Sequence, residues 1–113
     1  MKRIALVAAM LFGLAIPPTA QALSVSGSVW AASYPQENAY VKLSNLTTGA
    51  NGSTYTGSQG YYSFGGLVAG YRYKVMASKC VNGTFRYSDW FNWTQPNGNQ
   101  AENIVMSYYI VGC

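Results

Sequence analysis

The sequence predicts an all-β protein, a two-layer sandwich of seven short strands, and three observations predict it. No segment of the exported part keeps apolar residues at a sustained 3.6-residue period. The chain breaks instead into short runs of alternating apolar and polar residues, rich in Ser, Thr, Tyr, Val and Gly, with turn residues between them. The most specific run, residues 60–75, reads Gly-Tyr-Tyr-Ser-Phe-Gly-Gly-Leu-Val-Ala-Gly-Tyr-Arg-Tyr-Lys-Val. There Tyr62 and Phe64 share one strand face, Leu67 plugs a short connection and Gly70 turns the chain. Tyr71, Tyr73 and Val75 then resume period-2 alternation.

Taken in order, residues 1–22 read as a signal peptide. Lys2 and Arg3 precede an uncharged, mostly apolar run over residues 4–16, Pro17-Pro18 breaks it, and Ala20-Gln21-Ala22 supplies small residues for cleavage after Ala22. The apolar run is shorter than the roughly 20 residues a spanning helix needs. No membrane span is therefore expected in the mature chain, and no cysteine follows the run where a lipid would be attached.

The first strand, 24–30, sets Val25, Gly27 and Val29 on one face and serines on the other. A loop with Pro35 leads to the second, 40–46, and a Thr-Thr-Gly-Ala-Asn-Gly turn to the third, 53–56. The fourth is 61–64 and the fifth 71–79. Asn82-Gly83 is a tight hairpin signal before the sixth, 85–94, and Pro96-Asn97-Gly98-Asn99 turns the chain into the seventh, 104–111. A hairpin of the last two strands centred near Asn99 places Cys113 opposite about Phe85, close to Cys80 at the end of the fifth strand.

Composition narrows function. The expected mature domain, 23–113, keeps 91 of the 113 residues, enough for one small domain. It carries Lys42, Arg72, Lys74, Lys79 and Arg86 against Glu37, Asp89 and Glu102, a net charge of +2 with no basic cluster of the kind nucleic acid requires. Two cysteines in an exported chain predict a Cys80–Cys113 disulfide, since a redox pair would show Cys-x-x-Cys spacing. Asn45, Asn51, Asn82 and Asn92 open glycosylation acceptor triplets, but the short leader is of bacterial type and the triplets are expected to stay unmodified.

With these residues in place, a family can be named. Gly27-x-Val29, Ala39-x-Val41-x-Leu43, and Thr54-x-Thr56 followed by the 60–75 block resemble the carboxypeptidase regulatory-like (prealbumin-like, Cna-B-type) domains. The resemblance covers the mature chain up to Ser78. It implies a seven-stranded Greek-key β-sandwich, a non-enzymatic module for binding, spacing or assembly on exported proteins, and a fold shared with some carbohydrate-binding domains. The adhesive relatives lock themselves with a Lys–Asn isopeptide assisted by an acid in the fifth strand; this chain has Val75 and Met76 there, so no isopeptide is expected. Transthyretin-like hydrolases use histidines, and this chain has none.

No catalytic machinery is evident. Without histidine there is no imidazole base or metal ligand, and paired cysteines offer no thiolate. Alternating strand directions put Glu37 and Glu102 at opposite ends, too far apart for a glycosidase pair, and no carboxylate cluster suits calcium. No cofactor, no metal and no enzyme activity are expected. Aromatics remain. A regular sixth strand cannot point Trp90, Phe91 and Trp93 all inward, so a solvent-facing ring beside Asn92, with Tyr34 extending the surface more weakly, is the candidate binding set. The structural alternative is a bulge that turns all three rings into a small core. Two functions follow: an exported module, secreted or periplasmic, that binds an envelope protein or copies of itself, or a module that binds polysaccharide through the sixth-strand aromatics.

Overall fold

The computed structural model describes residues 23–113, so the expected signal peptide and its cleavage after Ala22 lie outside the described residues. The segments are β1 (Leu23–Ala31), β2 (Tyr34–Pro35), β3 (Tyr40–Asn45), β4 (Asn51–Tyr55), β5 (Tyr61–Leu67), β6 (Arg72–Val81), β7 (Thr84–Tyr87), β8 (Phe91–Thr94), β9 (Gln100–Ala101), β10 (Ile104–Val105) and β11 (Tyr108–Val111), with one short 3-10 turn at Ser58–Gly60. They fill the seven expected runs. The run 85–94 is divided into β7 and β8, the run 104–111 into β10 and β11, and β2 and β9 are two-residue additions within connections.

Two sheets form a sandwich. In the smaller one β1 is central, with β5 and then β2 antiparallel along one edge and β9 and then β10 parallel along the other. The larger runs β4-β3-β6-β7-β11, and β8 shares with β7 the edge of β6 opposite β3. Inward positions of both sheets make one core: Val25 and Val29 from β1, Val41 and Leu43 from β3, Phe64 and Leu67 from β5, Tyr73, Val75 and Ala77 from β6, then Ile104 and Met106. Each larger aliphatic or aromatic side chain removed from water here contributes roughly 1.5–3 kcal/mol. Two core tyrosines keep their hydroxyls satisfied: Tyr62 donates to the Glu102 carbonyl at 2.6 Å, and Tyr73 accepts from the Val68 N–H at 3.0 Å.

The 60–75 block behaves as its pattern predicts. Tyr62, Phe64, Leu67, Tyr73 and Val75 are buried. Gly60 must be glycine twice over: its φ is +73°, and a Cβ would lie 2.8 Å from the Val29 carbonyl oxygen and 2.9 Å from the Gln36 nitrogen.

The last two strands depart from the expected hairpin. β7 and β11 are antiparallel, but Ile110 rather than Cys113 faces Phe85, a register three residues away. Among the described strands β8 pairs only with β6, because residues 100–105 cross to the smaller sheet and run parallel to β1. That crossing buries Ile104 and Met106, which a simple hairpin would leave beside β8 on the other sheet. Cys80 and Cys113 are joined, with Cα atoms 6.0 Å apart, and the bridge holds the end of β11 beside the β6–β7 turn.

Candidate functional site

The outer face of the larger sheet is built by parity. Val41, Leu43, Val75 and Ala77 point inward, so Tyr40, Lys42, Ser44, Lys74, Met76, Ser78 and Cys80 point outward. The strand registers then align Tyr55, Tyr40, Ser78, Tyr87 and Tyr108 as one row across five strands. Tyr55 and Tyr40 meet edge to face with centroids 5.6 Å apart, and Tyr87 and Tyr108 stack at 5.4 Å. Ser78 separates the two pairs. In the neighbouring row Cys80, Phe85 and Ile110 line up, and Phe85 stacks on Tyr87 at 5.9 Å. Tyr40, Tyr55, Ser78, Cys80 and Phe85 line a trough of about 420 Å³ together with Asn38 and Lys79. At the far end Tyr108 donates to the Asp89 carboxylate at 3.0 Å, and that bond raises the Tyr108 phenol above its ordinary range.

The aromatics singled out in the sequence separate around a break in the strand. The Ala77 N–H donates to the Ser88 hydroxyl and the Ser88 N–H to the Ala77 carbonyl, both at 3.0 Å, so a side chain replaces a ladder partner and β7 ends. After the break Phe91 and Trp93 face the core, stacked at 5.6 Å, with Trp93 5.7 Å from Tyr73 and its ring N–H donating to Gln95. Trp90, in the break, is 38 % exposed, and its ring lies 4.3 Å from the Lys74 ammonium. Asn92 is exposed and opposite Lys74. Tyr34, 70 % exposed, stands apart on β2 of the other sheet. Tyr40, Tyr55, Phe85, Tyr87 and Tyr108 were not part of the sequence-derived set. Their signal was the placement of Tyr40 and Tyr55 out of phase with the inward residues of their own strands.

Two further features adjoin this face. β11 is an edge strand paired only with β7 among the described strands, and its four side chains Tyr-Tyr-Ile-Val are all exposed, Val111 by 81 %. Residues 103–113 carry no charged side chain. Alternating strand directions set Glu37 apart from Glu102; the acid that does share a cleft with Glu102, of about 210 Å³ and with Trp90 at its wall, is Asp89. Burial raises the Glu102 carboxyl above its ordinary range, and Asp89 is held by Tyr108. Among the described residues no group of three or more His, Cys, Asp or Glu could hold a metal ion, and no helix is long and apolar enough to cross a membrane.

No protein-family model and no curated protein matches the chain. Solved structures do. The dioxygenase domain of a dioxygenase carbohydrate-binding protein fusion from Streptomyces sp. SirexAA-E is similar with a TM-score of 0.54 and 12 % identity, over 81 % of this chain and 84 % of that one. The C-terminal domain of the shaft pilin SpaA from Lactobacillus rhamnosus GG gives 0.52 and 10 %, over 77 % and 99 %. The shaft pilin SpaA itself gives 0.53 and 10 %, over 80 % of this chain and 48 % of that one. At such identities the likeness is one of fold, and the chain is an all-β, two-sheet sandwich of the architecture found in those pilin domains.

Proposed function

We propose that this chain is an exported, non-catalytic sandwich of the carboxypeptidase regulatory-like (Cna-B-type) kind, which assembles with copies of itself at the cell envelope by adding strands along β11. The observation that carries it is β11 itself: an edge strand without a charged side chain, all four of its side chains exposed, and with no described strand paired on its outer side. Natural edges are normally blunted by charge, proline or cover, and β11 has neither a charge nor a proline. The leader pattern over residues 1–22 and the Cys80–Cys113 disulfide support a secreted or periplasmic location. The similarity to a shaft pilin supports assembly as the use of the fold. The lack of histidine and the pairing of both cysteines support a module without an active site.

Sedimentation of the exported, disulfide-bonded protein over a range of concentrations tests this. Self-association that Val111→Lys abolishes is expected, and a mature N-terminus at Leu23. A strict monomer with no crosslinked envelope partner overturns the reading. A second reading, polysaccharide binding by the sixth-strand set, is favoured by the solvent-facing Trp90 and Asn92, with Phe91 and Trp93 packed behind them. Tryptophan fluorescence titrated with polysaccharides, compared between wild type and Trp90→Ala, tests it.

A further inference from the structure

The geometry points to a glycan-binding platform on the tyrosine row, in which a chain of linked pyranose rings runs across the strands from Tyr55 to Tyr108. It shares a ligand class with the second reading above but not its residues, and it does not depend on assembly through β11.

Three properties of the row select that occupant. The first is its chemistry. A pyranose ring has a face of C–H groups and a rim of hydroxyls, so it matches surfaces where aromatic faces alternate with small polar groups. Here the rings in the row are all tyrosines, each amphipathic, and the position between the two pairs is Ser78. The flanking outward rows carry Ser53, Ser44 and Asn51. Tyrosine is enriched at protein interfaces as well, so it is the polar gap at Ser78 between the two ring pairs that favours a sugar ring. On this face the aliphatic residues are Met76, inside it, and Ile110, at its margin.

The second property is shape. The row spans four inter-strand spacings, about 19 Å, and its two ring pairs stand about 10 Å apart across Ser78. The trough of about 420 Å³ lies alongside this gap, walled by Tyr40 and Tyr55 on one side and Phe85 on the other. A sugar ring seated there touches an aromatic wall on each side, and its hydroxyls reach Ser78 and Asn38. Both ends of the row lie on edge strands, β4 and β11, so a polymer continues past them without obstruction by the sheet.

The third is charge. The outward positions of β3 and β6 present Lys42 and Lys74, while the carboxylate nearest the row, Asp89, is hydrogen-bonded by Tyr108. A neutral polymer is indifferent to these charges, a uronate polymer is drawn to the lysines and meets one carboxylate at the Tyr108 end, and a polycationic polymer is repelled by the lysines.

Affinity electrophoresis of the exported, disulfide-bonded protein in gels containing hydroxyethyl cellulose, xylan or polygalacturonate tests the platform. Retardation by at least one of the three is expected, weakened about tenfold or more by Tyr40→Ala and by Tyr87→Ala. Tyr61→Ala, an exposed tyrosine on β5 of the smaller sheet, is expected to leave it within about twofold, because it lies outside the row. Lys42→Ala with Lys74→Ala separates the two glycan classes, weakening polygalacturonate alone. Far-UV circular dichroism confirms that each variant is folded. No retardation in any gel overturns the inference. Retardation indifferent to Tyr40→Ala and Tyr87→Ala, or dependent on Trp90 instead, overturns it too. So does loss of self-association in the tyrosine variants without a change in the gels, which makes the face a contact between copies.

Discussion

At Gly27, β1 passes beneath the connection between β9 and β10 so closely that a Cβ would lie 1.9 Å from the Glu102 carbonyl oxygen and 2.6 Å from its carbon. The obstacle is backbone, held by the Glu102 N–H donating to the Ser26 carbonyl and by the Tyr62 hydroxyl donating to the Glu102 carbonyl. It cannot swing aside as a side chain would. Gly27→Ala is therefore expected to lower the free energy of unfolding by roughly 3 kcal/mol, read from urea midpoints. Gly98→Ala, where nothing lies within 4 Å of the added carbon, should stay within about 0.5 kcal/mol. Tyr62 makes a second residue-scale prediction. Burial first, and the Glu102 charge second, push its phenol far above the ordinary value of 10.0. A raised folded value means that the unfolded chain loses the proton first. The stability from Tyr62 is full below the unfolded value and is lost as pH climbs toward the folded one. Melting temperature should accordingly fall steeply above about pH 10. Tyr62→Phe should flatten that fall while costing about 1 kcal/mol at neutral pH through the orphaned carbonyl. An alkaline limb identical in both proteins would remove Tyr62 as its source.

The strand elements show where pattern carries and where it stops. The core-facing strands β1, β3, β5 and β6 were legible because one of their faces is buried, and burial imposes period 2 on the sequence. The disulfide was legible from compartment and cysteine count. The crossing of the last run was not. Ile104, Met106, Tyr108 and Ile110 keep one unbroken alternation, yet the first two enter the core while the last two belong to the outer face of the larger sheet. Alternation records that a side chain points away from its neighbours, and it does not record which sheet the strand joins. The tyrosine row was hidden for the same reason, since its members come from separate runs that only cross-strand register aligns. β11, outside the core, owes its place to β7 and to the Cys80–Cys113 bridge. Closing this 33-residue separation is worth about 3–4 kcal/mol in the chain-entropy model. That is an upper limit here, because the reduced protein can fray β11 without exposing any buried side chain. Cys80→Ser with Cys113→Ser should cost about 2 kcal/mol. Amide exchange should quicken in β11 and β7 far more than in β1 or β6, and equal quickening everywhere would contradict the argument.

For the molecule as a whole, the consequence is that the sandwich closes at residue 106 and β11 is an addition to it. β1 opens the described chain, and its second edge stays unpaired until residues 100–105 arrive to run parallel to it. Ile104 and Met106 then complete the core from the far end of the sequence. Folding must bring these distant segments together, so the smaller sheet cannot be stable alone, whereas loss of β11 removes only exposed side chains. Two shortened proteins, each with Cys80→Ser, separate these roles. The chain ending at Ser107 keeps both core residues and both β1 edges, and it should retain a cooperative urea transition at a lower midpoint. The chain ending at Asn103 loses Ile104 and Met106, each worth about 2–5 kcal/mol when its cavity is left empty. Together they rival the whole stability of a domain this size, about 5–15 kcal/mol. It should show no cooperative transition and should bind hydrophobic dye. The same pair tests self-association, because the form ending at Ser107 lacks β11 and should sediment as a monomer at every concentration. Association that persists without β11 would move the interface to another edge.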